Sequence, residues 1–187
     1  GSNYYPWRFY YKIINNANIV INDGAAATGD QALKDKAMGE AYAYRGWAFF
    51  QLVQIFSKRY VAGGNNSDAD GGVILRLKKG EEDMARSTVE ETYTQIHKDL
   101  DQALTLLTGK TATHKSHFDD SVVRGLKARV YLTQGNWAQA AAFAKLARAK
   151  FPLMSNAEYK AGFNKLTNGE WMWGSEIIPD QDRKSVV

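Results

Sequence analysis

Aromatic side chains crowd the amino terminus, where Tyr4, Tyr5, Trp7 and Tyr10 lie close together. Carbohydrate is held by such rings, because a flat π face stacks on the apolar face of a sugar while amides and acids read its hydroxyls. Rings of this kind also pack helices onto a core, and the sequence leaves both uses open. Tyr4, Tyr5, Trp7 and Tyr10 are therefore the candidate ligand-binding residues. A second candidate is the stretch Asn66-Ser67-Asp68-Ala69-Asp70-Gly71, which sets oxygen donors at alternate positions before a glycine. That is the first half of a calcium loop. The closing bidentate Glu would fall at Leu77, which cannot ligate, so a complete EF-hand is excluded. Asn66, Asp68 and Asp70 remain as a partial calcium candidate.

Other chemistry finds little footing. His114 and His117 bring two imidazoles near each other with no evident third ligand, so zinc is not expected. No nucleophile elbow, zinc-protease helix or phosphate loop is present. Glu81-Glu82 and Asp119-Asp120 are adjacent pairs, which do not oppose each other across a substrate. The absence of cysteine excludes thiolate catalysis, disulfides and cysteine-ligated zinc within the chain. No catalytic residue and no cofactor is expected.

The chain has 187 residues, 44% hydrophobic and 24% charged, which suits a globular domain with its own core. No apolar run is long enough to span a bilayer. The formal charge is +4, and Lys and Arg are scattered apart from short clusters such as Arg76-Leu77-Lys78-Lys79. Nucleic-acid binding concentrates charge in a stripe, so the scatter speaks for a solvated surface and no nucleic-acid partner. Gly1 to Pro6 lacks the basic start and apolar core of a signal peptide.

Helical periodicity organises the rest. Tyr10, Ile13, Ile14, Ala17 and Ile21 share one helical face, which fades at Asn22-Asp23-Gly24. A second helix begins near Thr28 or Asp30, with Thr28 and Gln31 at capping-box spacing. Its Gly46-Trp47-Ala48-Phe49-Phe50 segment is apolar nearly all round and should be central. Residues 57–86 form a long polar break, in which Val73 to Leu77 reads as extended. Ser87 and Glu90 have the spacing to cap a third helix, striped by Val89, Tyr93, Ile96, Leu100, Ala103, Leu104 and Leu107. A fourth helix runs from about Asp120 to Gln134, and Asn136 caps a fifth, which ends near Phe151-Pro152. A short helix near Asn156 to Gly162 and a strand-like stretch from Trp171 to Ile178 follow.

Within the fourth and fifth helices, Ala128, Tyr131, Gly135, Trp137, Ala140, Ala147 and Pro152 fall at the spacings of a tetratricopeptide repeat. Gly135 allows the tight turn, the alanines let the helices cross closely, and Tyr131 and Trp137 should fill the space around the crossing. One such hairpin cannot bury its own face, so neighbouring helices must stack on it. The fold expected is all-α, with antiparallel hairpins stacked as a right-handed scaffold, a long loop and a short extended segment near the carboxyl end.

The order of these motifs resembles the SusD/RagB family. Trp7 to Asn18 is similar to its W-x-x-x-Y-x-x-I-x-x-A-N segment, and Gly39 to Val53 to its G-E-A-x-x-x-R-A-x-x-Y-F-x-L-V helix. Ser87 to Leu107 resembles its third helix, including Asp99-Leu100 and Ala103. The repeat follows in place, and Glu170-Trp171-Met172-Trp173 looks like its E-x-I-W segment. The family's Y-G-x-V-P segment after the second helix has no counterpart here, nor do its lipidated Cys and large carboxyl-terminal half. The resemblance implies that residues 1–187 are a single helical domain, a fragment of a longer protein. It implies a lipid-anchored protein on the outer face of the outer membrane. There it would bind nutrient, above all oligosaccharide, and work with a SusC-like TonB-dependent transporter. A repeat domain that binds a protein partner and no sugar is the competing reading.

Overall fold

The computed structural model describes residues 4–80, 82–163 and 165–175. Among them the regular structure is entirely helical: α1 (Tyr4–Gly24), α2 (Gln31–Phe56), α3 (Val89–Leu107), α4 (Asp120–Thr133), α5 (Trp137–Arg148) and α6 (Asn156–Ala161). Helix α1 starts earlier than its apolar stripe suggests. Pro6 lies in its first turn, where a missing N–H costs nothing.

Consecutive helices run antiparallel. Trp7 meets Phe56 and Tyr10 meets Trp47 across α1 and α2. On the other side of α2, Arg45 meets Asp99 of α3. A Cβ at Gly39 would come within 2.7 Å of Leu107 Cγ, so the glycine sets how closely α2 and α3 approach. Helix α4 packs on α3, and α5 packs on α4. The core lies where α1, α2, α3 and α4 meet, built from fully buried Ile14, Phe49, Leu52, Ile96, Leu100 and Val123. At about 25 cal/mol per Å², such side chains each contribute on the order of 2 kcal/mol.

The caps differ from the sequence reading by a residue or two. Asp30, not Thr28, caps α2, accepting from the amides of Ala32 and Leu33. The box on α3 is Thr88 with Glu91, not Ser87 with Glu90. Ser87 is committed elsewhere, its hydroxyl donating to the Val73 carbonyl at 2.7 Å. Asp119 caps α4 and Asn136 caps α5. Gly135 takes a φ of 74° in the turn between them, a conformation that L side chains avoid. Ala140 and Ala147 are buried at the crossing and Tyr131 stacks on Phe143. Trp137 does not fill that space: it is 68% exposed.

Residues 171–175 form no strand, and Trp171–Ile178 otherwise lies outside the described residues. Trp173 turns inward, stacking on Phe118 and donating its ring N–H to the Ser116 carbonyl at 3.1 Å. Glu81, of the adjacent acidic pair, also lies outside the described residues.

Candidate functional site

The long segment between α2 and α3 is held by polar side chains of α1. The Tyr11 hydroxyl donates to the Ile74 carbonyl at 2.9 Å and accepts from the Ile74 amide at 3.0 Å. Two turns further along α1, Asn18 donates from its amide to the carbonyls of Arg76 and Lys78, at 3.0 and 3.1 Å. Burial pushes the Tyr11 phenol up to about 12, a rise only partly offset by its bond with Ile74. The hydroxyl therefore keeps its proton, and its donor role, at ordinary pH.

Asn18 is itself fully buried and oriented by α2. Its carbonyl oxygen accepts from Arg45 Nη1 at 2.8 Å. Arg45 in turn grips Asp99 of α3 through both carboxylate oxygens, at 2.8 and 2.7 Å. Gln95 donates to the same carboxylate at 2.8 Å. A guanidinium taken out of water is tolerable only when paired this fully. The network carries the packing of the three helices outward to the backbone of residues 74–78.

Between α1 and that backbone lies an open groove of about 780 Å³. Its α1 wall is Tyr4, Arg8, Tyr11, Lys12, Asn15 and Ile19, a stripe at helical spacing on a different face from the apolar one. Its other wall is Ile74, Arg76, Lys79 and Gly80, and Trp7 closes one end. Arg76 spans the loop, donating to the carbonyls of Gly80 at 2.7 Å and Glu82 at 2.6 Å. Lys79 pairs with Asp23 at 3.0 Å at an exposed site, where such pairs contribute little. Arg8 lies over the Tyr4 ring, 5.4 Å from its centre. The lining thus combines rings and basic groups with Asn15, Ile19, Ile74 and Gly80, and has no carboxylate among the described residues.

The structure divides the aromatic cluster. Tyr4 and Trp7 line the groove, Tyr4 being 63% exposed. Trp7 is also wedged edge-on against Phe56 at 5.1 Å and beside Tyr11 at 4.7 Å, with the Arg86 guanidinium 5.8 Å from its ring. Tyr5, at 75% exposure, stacks on Phe9 in a separate recess beside Arg8 and Lys12. Tyr10 faces Trp47 and takes the packing role. Sequence reading singled out the rings and met Tyr11 and Asn18 only as positions of a family segment, without their contacts, and it missed Arg8, Lys12 and Asn15. Their signal was the second stripe on α1, which a search for apolar periodicity passes over.

The partial calcium candidates differ in placement: Asp68 and Asp70 are exposed, whereas Asn66 is not. Asn66 is buried, and its side chain accepts from the Val61 amide at 2.8 Å and donates to the Val61 carbonyl at 2.9 Å. Asp68 pairs with Lys58 at 2.9 Å. That pair holds the Asp68 carboxyl below its ordinary range. Asp70 occupies a turn with φ of 59°. Among the described residues no three His, Asp or Glu side chains gather as a metal site. His117 pairs with Glu40 at 2.7 Å, and His114 bonds the Ser116 hydroxyl at 2.8 Å. Among the described residues no helix is long and apolar enough to cross a membrane.

Residues 2–132 match the SusD-like family model described as starch-binding and associating with the outer membrane. The chain belongs to the SusD-like family. Solved SusD-like structures agree with this. A SusD-like carbohydrate binding protein from Bacteroides vulgatus is 31% identical over 94% of the chain, with a TM-score of 0.82. A SusD superfamily protein from Bacteroides thetaiotaomicron, 24% identical over 90% of the chain with a TM-score of 0.79, shares the fold. So does a laminarin binding SusD-like protein, 24% identical over 81% of the chain with a TM-score of 0.64. The chain spans 37%, 38% and 31% of the lengths of those three proteins. No curated protein matches it.

Proposed function

We propose that this chain is a single helical domain of a longer, lipid-anchored protein that captures oligosaccharide at the outer face of the outer membrane. It hands that ligand to a TonB-dependent transporter and performs no catalysis. The observation that carries the reading is the α1 groove on a SusD-like scaffold, with the exposed Tyr4 ring and the edge of Trp7 beside Arg8 and Lys12. Ring faces suit the C–H face of a sugar. Arg and Lys donate to hydroxyl or acid oxygens. The family description and the carbohydrate-binding relative support the ligand class.

The test is calorimetric titration of the full-length parent with neutral and acidic oligosaccharides, alongside the Tyr4→Ala and Arg8→Ala variants. Saturable binding that both variants weaken supports the groove. Wild-type-like binding in both removes it from the site. Affinity purification of the tagged parent from outer membranes should bring down a TonB-dependent transporter, and failure to do so counts against the uptake role.

A further inference from the structure

A second pocket of about 670 Å³, with no α1 residue in its lining, opens at the turn between α4 and α5. It is lined by Tyr60, His97, Tyr131, Gln134, Asn136 and Trp137, with the backbone of Gly63 and Gly135 at its rim. We propose that this pocket is a separate binding site for a neutral oligosaccharide, with Trp137 as its stacking platform and the Gln134 and Asn136 amides reading hydroxyls.

Three observations converge on it. The first is Trp137. A tryptophan left 68% exposed at the start of a helix forfeits most of the burial that normally holds such a ring. It makes no ring contact within the protein among the described residues, so its face is available. Tyr131, by contrast, is fixed between His97 at 4.5 Å and Phe143 at 5.5 Å, and Tyr60 stands edge-on to Tyr93 at 5.0 Å. The pocket therefore has a rigid aromatic floor and one open aromatic wall.

The second is the state of the polar groups. Gln134 Oε1 lies 2.6 Å from His97 Nε2, so the imidazole donates there and Nδ1 carries the lone pair. That Nδ1 is buried without a partner. Among the described residues, Gln134 finds no acceptor for either amide hydrogen. Asn136 spends its carbonyl oxygen on the Gln139 amide at 3.2 Å and likewise keeps its amide hydrogens. Unused donors at the edge of a ring-lined recess are what a polyol needs.

The third is charge. No Lys, Arg, Asp or Glu lines this pocket, in contrast to the basic groove at α1. Lys127 lies close by, but behind the rings of Tyr131 and Phe143 and paired with Asp101. Among the described residues, the aliphatic side chains at the pocket are those of Ala62 and Ala138, too small to make a socket for a peptide side chain. An uncharged, ring-faced, amide-edged recess fits a neutral sugar better than an acidic one or a peptide. The proposal is independent of the α1 groove.

Trp137 fluorescence and side-chain amide NMR shifts during titration of the whole chain with maltohexaose and laminarihexaose provide the test. At least one probe should bind saturably and shift the Gln134 and Asn136 amide signals. Trp137→Ala should weaken it roughly tenfold, Trp137→Phe less, and Gln134→Ala a few-fold. The Gln134 and Asn136 amide signals report on this pocket and not on the α1 groove, which separates the two sites. Unchanged thermal melting of the Trp137 variants, expected for so exposed a ring, shows that the loss is local. No saturable shift of the Gln134 and Asn136 amide signals with either probe, or a shift that saturates equally in Trp137→Ala, would each overturn the proposal.

Discussion

Arg45 shows how one side chain serves several elements. It holds Asp99 with both oxygens and orients Asn18, and all three are buried. Arg45→Ala leaves a buried carboxylate unpaired and should cost about 3–5 kcal/mol, read from urea denaturation. A loss under about 1 kcal/mol would show that the pair contributes little. His97 gives a pH dependence whose sign can be worked out. Burial is the main cause that lowers its pKa, and Lys127 acts the same way, while the Gln134 bond, Asp101 and Glu90 oppose it. The unfolded chain therefore takes up the proton first. Stability is full above the unfolded value of about 6.5 and drains away as pH falls through it toward the folded value. His97→Gln should flatten the fall in urea midpoint between about pH 7 and pH 5; an equal fall in both proteins would assign the effect to other groups.

At the scale of elements, helix ends and the loop they frame decide the result. Thr88→Ala removes the side-chain acceptor at the start of α3 and should lower stability by about 1 kcal/mol. Gly72 is tightly enclosed, since a Cβ there would collide with the Thr88 carbonyl oxygen. Gly72→Ala should cost about 1–3 kcal/mol in thermal unfolding. It should also weaken ligand binding in the groove, because the same backbone continues into Ile74; full affinity in a destabilised variant would separate the two effects. The helices α3, α4 and α5 were legible because a stripe, a cap and a turn glycine repeat at fixed spacing. The capping box of α3 was read one residue early because Ser87-Thr88 and Glu90-Glu91 offer two registers, and only the contact of Ser87 with Val73 chooses between them. The repeat pattern was read as placing the Trp137 ring at the α4–α5 crossing, but the ring is exposed, because spacing alone does not say which way a ring turns. Val73 to Leu77 were read as extended, but what holds them could not be read. Their partners Tyr11 and Asn18 lie some 60 residues away, at 63 for Tyr11–Ile74 and 58 for Asn18–Arg76.

Across the whole molecule, α1 to α5 form a layered run of antiparallel neighbours, with the basic groove on α1 and the uncharged pocket at the α4–α5 turn. The groove wall at 74–78 has no helix or strand of its own, yet Tyr11 and Asn18 tie it to the core. The Ile74 amide should therefore resist hydrogen exchange nearly as well as amides in the helices. Exchange as fast as at an open loop tip would show that the tie is broken in solution. This tether has a kinetic consequence. An arriving ligand meets a wall that is already set, so it loses no affinity to ordering a loop. Capture in the groove should proceed in one phase, at a rate set by diffusion and by the attraction of Arg8 and Lys12, with no slow closing step behind it.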